Sequence, residues 1–177
     1  MQLSNSDTKR YFPVRDGLLT YMSTKGHLAK KRPGIALVHG LSTEPWPDAA
    51  SIDSFVADNP FGLSTQDLAL ATSWKRSVSG NFFVVRYLKK NTIIISETAP
   101  YRTYGVVGHH SPLSAIFGPC IPDLFSLRLL PFEDKILCTL IAFLDEYPVE
   151  WPSDVRRRLE RVYRRARASR TIITSLD

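Results

Sequence analysis

Residues 81–97, NFFVVRYLKKNTIIISE, decide the fold of this chain. Two runs rich in β-branched and aromatic residues, 82–85 and 92–95, flank a short polar and basic centre. They are the densest strand signal in the sequence, and they predict a β-hairpin or one long bent strand. We therefore expect the rest of the chain to add strands to this pair and to cover them with helices.

The chain has 177 residues, of which 44% are hydrophobic, enough for one folded domain with a sizeable core. We interpret residues 1–50 as an N-terminal extension packed on the core and residues 51–177 as a single α+β domain. Two cysteines, Cys120 and Cys138, are too few for a disulfide framework or a four-cysteine zinc site. A polar N-terminus and the lack of a long apolar run predict a cytoplasmic protein with no membrane partner.

Hydrophobic periodicity and turn residues assign most of the remaining chain. We expect residues 1–10 to be loose. Helices are expected at 14–22, at 51–57 with Ser51 as its cap, from Ser64 as a cap to Gly80 as the end, at 113–117 and at 153–169. Strands are expected at 34–40, 104–108, 125–132, 136–144 and 171–174. The short connections predict an α+β fold with N-terminal helices, a mainly antiparallel twisted sheet or small barrel of four to six strands, and a basic amphipathic C-terminal helix.

Five motifs spread over about two thirds of the chain resemble a family of uncharacterised bacterial proteins. They are FVADNPFGL at 55–63, the run from Trp74 to Lys90, YGVVG at 104–108, LLPFEDKI at 129–136 and IITSL at 172–176. The resemblance brings no activity with it. Where the family pattern has a glycine-containing loop after LLPFEDKI, this chain has LCTL, which implies a longer strand here.

Two histidine-containing segments raise the question of catalysis. Residues 35–41, IALVHGL, look like a strand-end segment of α/β-hydrolases, but the chain lacks their Gly-x-Ser-x-Gly nucleophile motif. His109 and His110 could act as general bases or metal ligands. Neighbouring side chains of an extended segment point opposite ways, so we do not expect both histidines to bind one ion. We expect them to be loop residues that cap the end of the strand.

The cysteines and carboxylates likewise form no complete catalytic motif in the sequence. Cys120 could be a nucleophile with a histidine as its base, whereas Cys138 falls in a predicted strand and is expected in the core. Asp123 and Asp145 would suit a metal-dependent nuclease if the fold brought them together. We expect no catalytic residue, metal or cofactor, and a metal-dependent nuclease or other hydrolase is only the third alternative.

The C-terminal segment carries nearly all of the basic charge. Residues 152–177 hold eight arginines, no lysine and three acids, which makes +5 of the chain's net charge of +6. Apolar residues recur there at helical spacing and predict one apolar face. They are Val155, Leu159, Val162, Tyr163 and Ala166. Arginine has a planar fork that grips phosphate in a bidentate way, so an arginine face without lysine favours contacts with phosphate or with an acidic protein.

We therefore expect a binding module that contacts nucleic acid, DNA or RNA, through this helix. The candidate residues are Arg156, Arg157, Arg158, Arg161, Arg164 and Arg165, with Arg86, Lys89 and Lys90 of the first hairpin. Arg167, Arg170, Lys75 and Arg76 could extend this surface, and Tyr87, Tyr101, Tyr104 and Tyr163 could stack on bases. The alternatives are an inhibitor, toxin neutraliser or complex subunit that meets an acidic protein, and a merely solvated outer face.

Overall fold

A computed structural model describes residues 2–25, 46–143 and 150–176. The helices are α1 Asn5–Thr24, α2 Ala49–Asp58, α3 Thr65–Ser73, α4 Leu113–Phe117 and α5 Ser153–Ala168, and a short 3₁₀ turn, Trp74–Arg76, follows α3. The strands are β1 Val78–Tyr87, β2 Thr92–Ser96, β3 Thr103–Val106, β4 Asp123–Phe132 and β5 Lys135–Phe143. The predicted α+β class is confirmed. The strand expected at 34–40, with His39, and the carboxylate of Asp145 lie outside the described residues.

The sheet is built outward from the hairpin that the opening stretch predicted. Strands β1 and β2 form that hairpin, and the strand order is β3-β2-β1-β4-β5 with every neighbouring pair antiparallel. The sheet curls until its edges meet at one end. There the Val107 amide donates to the carbonyl of Ile136, and the Cys138 amide donates to the carbonyl of Val107, each at 2.9 Å. The result is a half-barrel, as the sequence predicted.

The C-terminal tail covers the outer edge of β3. Ile173 pairs with Tyr104 in a parallel bridge, and its amide donates to the carbonyl of Thr103 at 2.9 Å. The Gly105 amide donates in turn to the carbonyl of Ile173 at 2.9 Å. The β-like tail expected at 171–174 therefore does add to the sheet, although as a single bridge.

Alternating side chains of the strands supply both faces of the sheet with apolar residues. The side chains inside the curl include Phe82, Val84, Ile94, Phe125, Leu127 and Cys138. The outer face is formed by Phe83, Ile93, Ile95 and Leu124 and lies beneath α5. Cys138 is buried, as expected for a core thiol, and burial raises its pKa.

Helix α1 is longer than the sequence analysis predicted. Residues 5–10, expected to be loose, form its first turns. The Ser4 hydroxyl accepts a hydrogen bond from the Asp7 amide at 3.1 Å, and the Asp7 carboxylate accepts one from the Ser4 amide at 3.4 Å. This reciprocal capping box starts the helix nine residues before the predicted position at Val14.

Helices α2 and α3 differ from the predictions at their ends. Asp48 caps α2 by accepting from the Ser51 amide at 2.8 Å, so the assignment of Ser51 as the cap was wrong. Ser64 caps α3 as predicted. Gly80 does not end this helix, because it already lies in β1 and pairs with Leu127 of β4.

The three N-terminal helices pack at one end of the β4–β5 hairpin. Their shared core contains large side chains that are at most 1% exposed. They are Tyr11 and Leu18 of α1, Phe55 of α2, Trp74 and Phe132. At 25 cal/mol per Å², burying one such side chain contributes about 2–3 kcal/mol, so this cluster fixes the helices firmly to the sheet.

Candidate nucleic-acid interface

Helix α5 lies on the outer face of the sheet through the apolar stripe that its sequence predicted. Leu159, Tyr163 and Ala166 are buried, and Val155 and Val162 are half-buried against the same cluster. Because this stripe faces the strands, the helical repeat turns the remaining positions toward solvent. The arginines are therefore presented from a helix whose orientation is fixed by packing.

A β-bulge in β1 brings Arg86 beside α5. The register of β1 against β2 shifts between Val84 and Arg86, and Val85 packs into the outer cluster. A bulge adds one residue to a strand and re-aims the next side chain, so Arg86 follows Val85 onto the outer face. Its guanidinium carbon lies 4.9 Å from the centre of the Tyr163 ring.

Glu160 joins Arg86 to the helix. One carboxylate oxygen accepts from Arg164 Nε at 2.7 Å, and the other accepts from Arg86 at 2.9 Å. The hydrogen bonds from Arg164 and Arg86 outweigh partial burial and lower the pKa of Glu160 below its usual value. Glu160 is therefore ionised at neutral pH, and this three-residue group carries a net charge of +1.

Two further arginines of α5 contact groups of the protein itself. Arg156 donates to the carbonyl of Trp151 at 3.1 Å, just before the helix begins. The guanidinium of Arg158 lies 5.7 Å from the centre of the Tyr101 ring. These two side chains help to hold α5 and its preceding segment against the sheet.

Five arginines of the C-terminal segment are exposed and make no ion pair with the described part of the chain. They are Arg157, Arg161, Arg165, Arg167 and Arg170. Arg157, Arg161 and Arg164 follow one another at spacings of four and three, about one helical turn of 5.4 Å. They form a ridge opposite the buried stripe, and five free guanidiniums are left for a partner.

Two shallow depressions lie between these side chains. One, of about 670 Å³, is lined by Arg156, Arg157, Arg161 and Arg164 together with Asp154 and Glu160. The other, of about 480 Å³, is lined by Arg86, Glu160, Tyr163, Arg164, Arg167 and Ala168. Each depression has two more arginines than carboxylates, so both are cationic and suit a phosphate group.

The tip of the β1–β2 hairpin carries exposed cations, whereas two of the predicted extensions of the arginine face, Lys75 and Arg76, are engaged in contacts within the fold. Lys89 and Lys90 are exposed in the turn and have no ion pair among the described residues. Lys75 pairs with Asp53 at 2.6 Å. Arg76 donates to the carbonyl of Leu176 at 3.1 Å. Lys75 and Arg76 are therefore engaged in holding the fold.

Two of the tyrosines that were expected to stack on bases are buried, so that expectation was wrong for Tyr104 and Tyr163, whereas Tyr87 and Tyr101 are half-buried. Tyr104 is 3% exposed and Tyr163 is 4% exposed. Tyr87 donates its hydroxyl to the carbonyl of Gly118 at 2.7 Å, and its half-buried ring packs on the inner cluster. Strand alternation could have revealed this for Tyr104, which shares the inner face of the sheet with Phe82.

The adjacent histidines dock the segment after β3 onto α1. His109 stacks on Tyr11 with ring centres 4.8 Å apart, and His110 stacks on Phe12 at 4.3 Å. Desolvation, with Arg15 and His110 nearby, lowers the pKa of His109 to about 3. His109 is therefore neutral at physiological pH and a poor general base, in line with the structural role expected for the pair.

The exposed thiol of Cys120 lies in another segment, after α4. No group of three or more His, Cys, Asp or Glu side chains within 2–25, 46–143 and 150–176 could hold a metal ion. Within the same ranges, no helix is long and apolar enough to cross a membrane.

Comparisons with protein families, with curated proteins and with solved structures find no match to this chain. We therefore argue function from α5 and its surroundings.

Proposed function

We propose that the chain is a binding module that holds nucleic acid by its phosphates through the exposed face of α5. One observation carries this proposal: five arginines on a firmly packed segment have no carboxylate partner in the described part of the chain. The neighbouring Arg86 and Arg164 share a single carboxylate and keep a net positive charge. Lys89 and Lys90 add charge at the hairpin tip.

The expected mechanism is electrostatic. Each guanidinium that contacts a phosphate releases condensed counterions, so the logarithm of the affinity falls with the logarithm of salt by about 0.9 per contact. Five contacts give a slope of about −4.5, which corresponds to about a 500-fold loss of affinity between 50 and 200 mM salt. Phosphate contacts position a protein on nucleic acid without reading bases, so we expect little sequence preference.

An acidic protein partner fits this face less well. Protein interfaces have an apolar core in which aromatic or aliphatic anchors supply most of the affinity. The large hydrophobic side chains exposed among the described residues are Phe61 and Leu88, and neither belongs to α5. Leu88 lies beside Lys89 at the hairpin tip, but α5 itself presents guanidiniums and no large exposed apolar side chain. The α5 face therefore matches a phosphate backbone better than a folded protein surface.

The experiment is a titration of fluorescently labelled DNA and RNA with the full chain, using a matched pair of charge reversals. Arg161→Glu on α5 and Lys9→Glu on α1 each replace an exposed cation that has no ion pair in the described part of the chain. At 50 mM salt we expect Arg161→Glu to weaken binding about 10-fold and Lys9→Glu to change it less than about 2-fold.

The proposal fails if no nucleic acid binds, or if both reversals weaken binding equally, because net charge would then explain the affinity. A protein that co-purifies at a fixed ratio after nuclease treatment, together with no nucleic-acid binding, would support the acidic-partner alternative instead.

A further inference from the structure

We infer that the α5 face takes a double-stranded nucleic acid and not an unpaired strand, an inference that rests on the proposed function. The aromatic rings beside the arginines are buried or half-buried by contacts within the protein. Tyr163 is 4% exposed and lies beneath the guanidinium of Arg86 at 4.9 Å. The half-buried ring of Tyr101 has Arg158 at 5.7 Å from its centre. The Tyr163 ring therefore has no open face for a base, and the Tyr101 ring is partly occupied by its packing and by Arg158.

Trp151, at the start of the same face, is engaged in the same way. Its ring meets Phe83 edge-to-face with centres 4.9 Å apart, and its indole nitrogen is buried. Proteins that bind single strands gain much of their affinity from bases stacked on exposed aromatic rings. Since Tyr163 is buried and Tyr101 and Trp151 are half-buried, an unpaired strand would gain little from stacking here and would depend on charge contacts.

Charge contacts alone favour the polymer with the higher charge density. From Arg157 to Arg167, α5 spans about 15 Å at 1.5 Å per residue. A duplex carries one charge per about 1.7 Å of its axis, and each of its strands one per about 3.4 Å. Along 15 Å the duplex offers about nine phosphates, and one strand offers about four. Four of the five unpaired arginines lie within this span, so one strand offers about one phosphate for each of them and a duplex offers about two.

Counterion release predicts how large the preference for a duplex is and how it depends on salt. Each contact contributes about 0.9 to the salt slope on a duplex but about 0.7 on a single strand. Over five contacts the slopes differ by about 1.0. Taking the two affinities as equal at 1 M salt, the duplex is favoured about 20-fold at 50 mM salt and about 5-fold at 200 mM. A preference that arises only from charge must therefore shrink about 4-fold over this range.

The test is a set of titrations of the full chain at 50, 100 and 200 mM salt. The probes are a duplex of about 20 base pairs and each of its separated strands, chosen not to pair with themselves, as DNA and as RNA. We expect the duplex to bind more tightly in at least one of the two chemistries, with a preference of about 20-fold that falls to about 5-fold. The DNA and RNA arms show which duplex the face accepts.

Two results overturn the inference while leaving the proposed function in place. One is a strand that binds as tightly as its duplex, and the other is a duplex preference that does not change with salt. A failure of every probe to bind overturns the proposed function together with the inference.

Discussion

Helices α1 and α5 pack against the same half-barrel but use their charges in opposite ways. In α1, Arg10 donates to Asp67 at 3.1 Å, to Glu133 at 2.6 Å and to the Gln66 carbonyl at 2.9 Å. Asp7 accepts from Lys135 of β5 at 3.1 Å. In α5, most arginines have no carboxylate partner in the described part of the chain. Charges that bridge elements hold the fold, and charges left unpaired on a rigid helix are available to a partner.

The largest expected effect comes from reversing the free charges of α5. Arg157→Glu, Arg161→Glu and Arg165→Glu together remove three of five proposed contacts. We expect affinity for nucleic acid at 50 mM salt to fall about 1,000-fold, because three contacts contribute about 2.7 to the salt slope. Titration with a labelled duplex measures the loss.

The same triple variant must keep its fold. Exposed substitutions away from packed features usually change stability by less than about 0.5 kcal/mol. We therefore expect circular dichroism and the urea midpoint to match those of the unsubstituted chain. A triple variant that binds as before would contradict the assignment of binding to α5.

Arg10→Ala removes a paired charge from α1, in contrast to the unpaired charges of α5. It removes three hydrogen bonds that join α1 to α3 and to the β4–β5 turn. We expect the free energy of unfolding to fall by about 1–2 kcal/mol, a modest loss because the ion pairs are partly exposed. We expect the affinity for a duplex to stay within about 2-fold of that of the unsubstituted chain. Urea unfolding measures the first quantity and duplex titration the second.

Arg157→Ala is the matched variant for this comparison. We expect it to leave the urea midpoint almost unchanged and to weaken duplex binding about 10-fold at 50 mM salt. If both variants weakened binding to the same degree, the contrast between the two helices would not hold.

A smaller effect is expected from pH at the α1–α3 contact. The Ser64 hydroxyl, and then Arg10, lower the pKa of Asp67 below its ordinary value of 3.8. Because the folded pKa lies below the unfolded one, this stability is complete above the unfolded pKa and is lost as pH falls through the folded value. We expect the urea midpoint to fall from about pH 5 to about pH 3, and to fall less in Asp67→Asn. Equal pH dependence in both proteins would contradict this.

The smallest expected effect concerns the acids within the arginine face. Glu160→Gln releases Arg86 and Arg164, which now share this carboxylate. Asp154→Asn removes the same charge from the same helix, and Asp154 has no ion pair in the described part of the chain. We expect Glu160→Gln to tighten duplex binding about 3-fold or more, and Asp154→Asn to tighten it less. If Glu160→Gln bound the duplex more weakly than the unsubstituted chain, Glu160 would be a residue that positions the arginines.

Local sequence patterns predicted most of the fold. The two hairpins, the helix at α5 and its apolar stripe follow from periodicity and turn residues within short windows. The capping box at Ser4 and Asp7 is a local sequence pattern as well, whereas Pro13 and Gly17 lie inside the helix although both residue types disfavour a helix interior. Gly17 belongs there because the Phe61 ring packs over it, where a Cβ atom would lie 3.2 Å from that ring.

The candidate site was predictable in composition but not in detail. Residues 74 positions apart form the Arg86–Glu160 pair, and the bulge at Val85 that turns Arg86 outward has no signature in the sequence. Which arginines are free depends on such long-range pairs. The sequence therefore indicated an arginine face, whereas its division into paired and unpaired members needed the fold.

The most direct test of the central claim is the salt dependence of duplex binding by the full chain and by Arg157→Ala/Arg161→Ala/Arg165→Ala. We expect a slope of about −4 to −5 in a plot of the logarithm of affinity against the logarithm of salt, and about −2 in the variant, because three of five phosphate contacts are gone. A slope near zero in the full chain, or the same slope in both proteins, would contradict the claim that unpaired arginines of α5 bind nucleic acid.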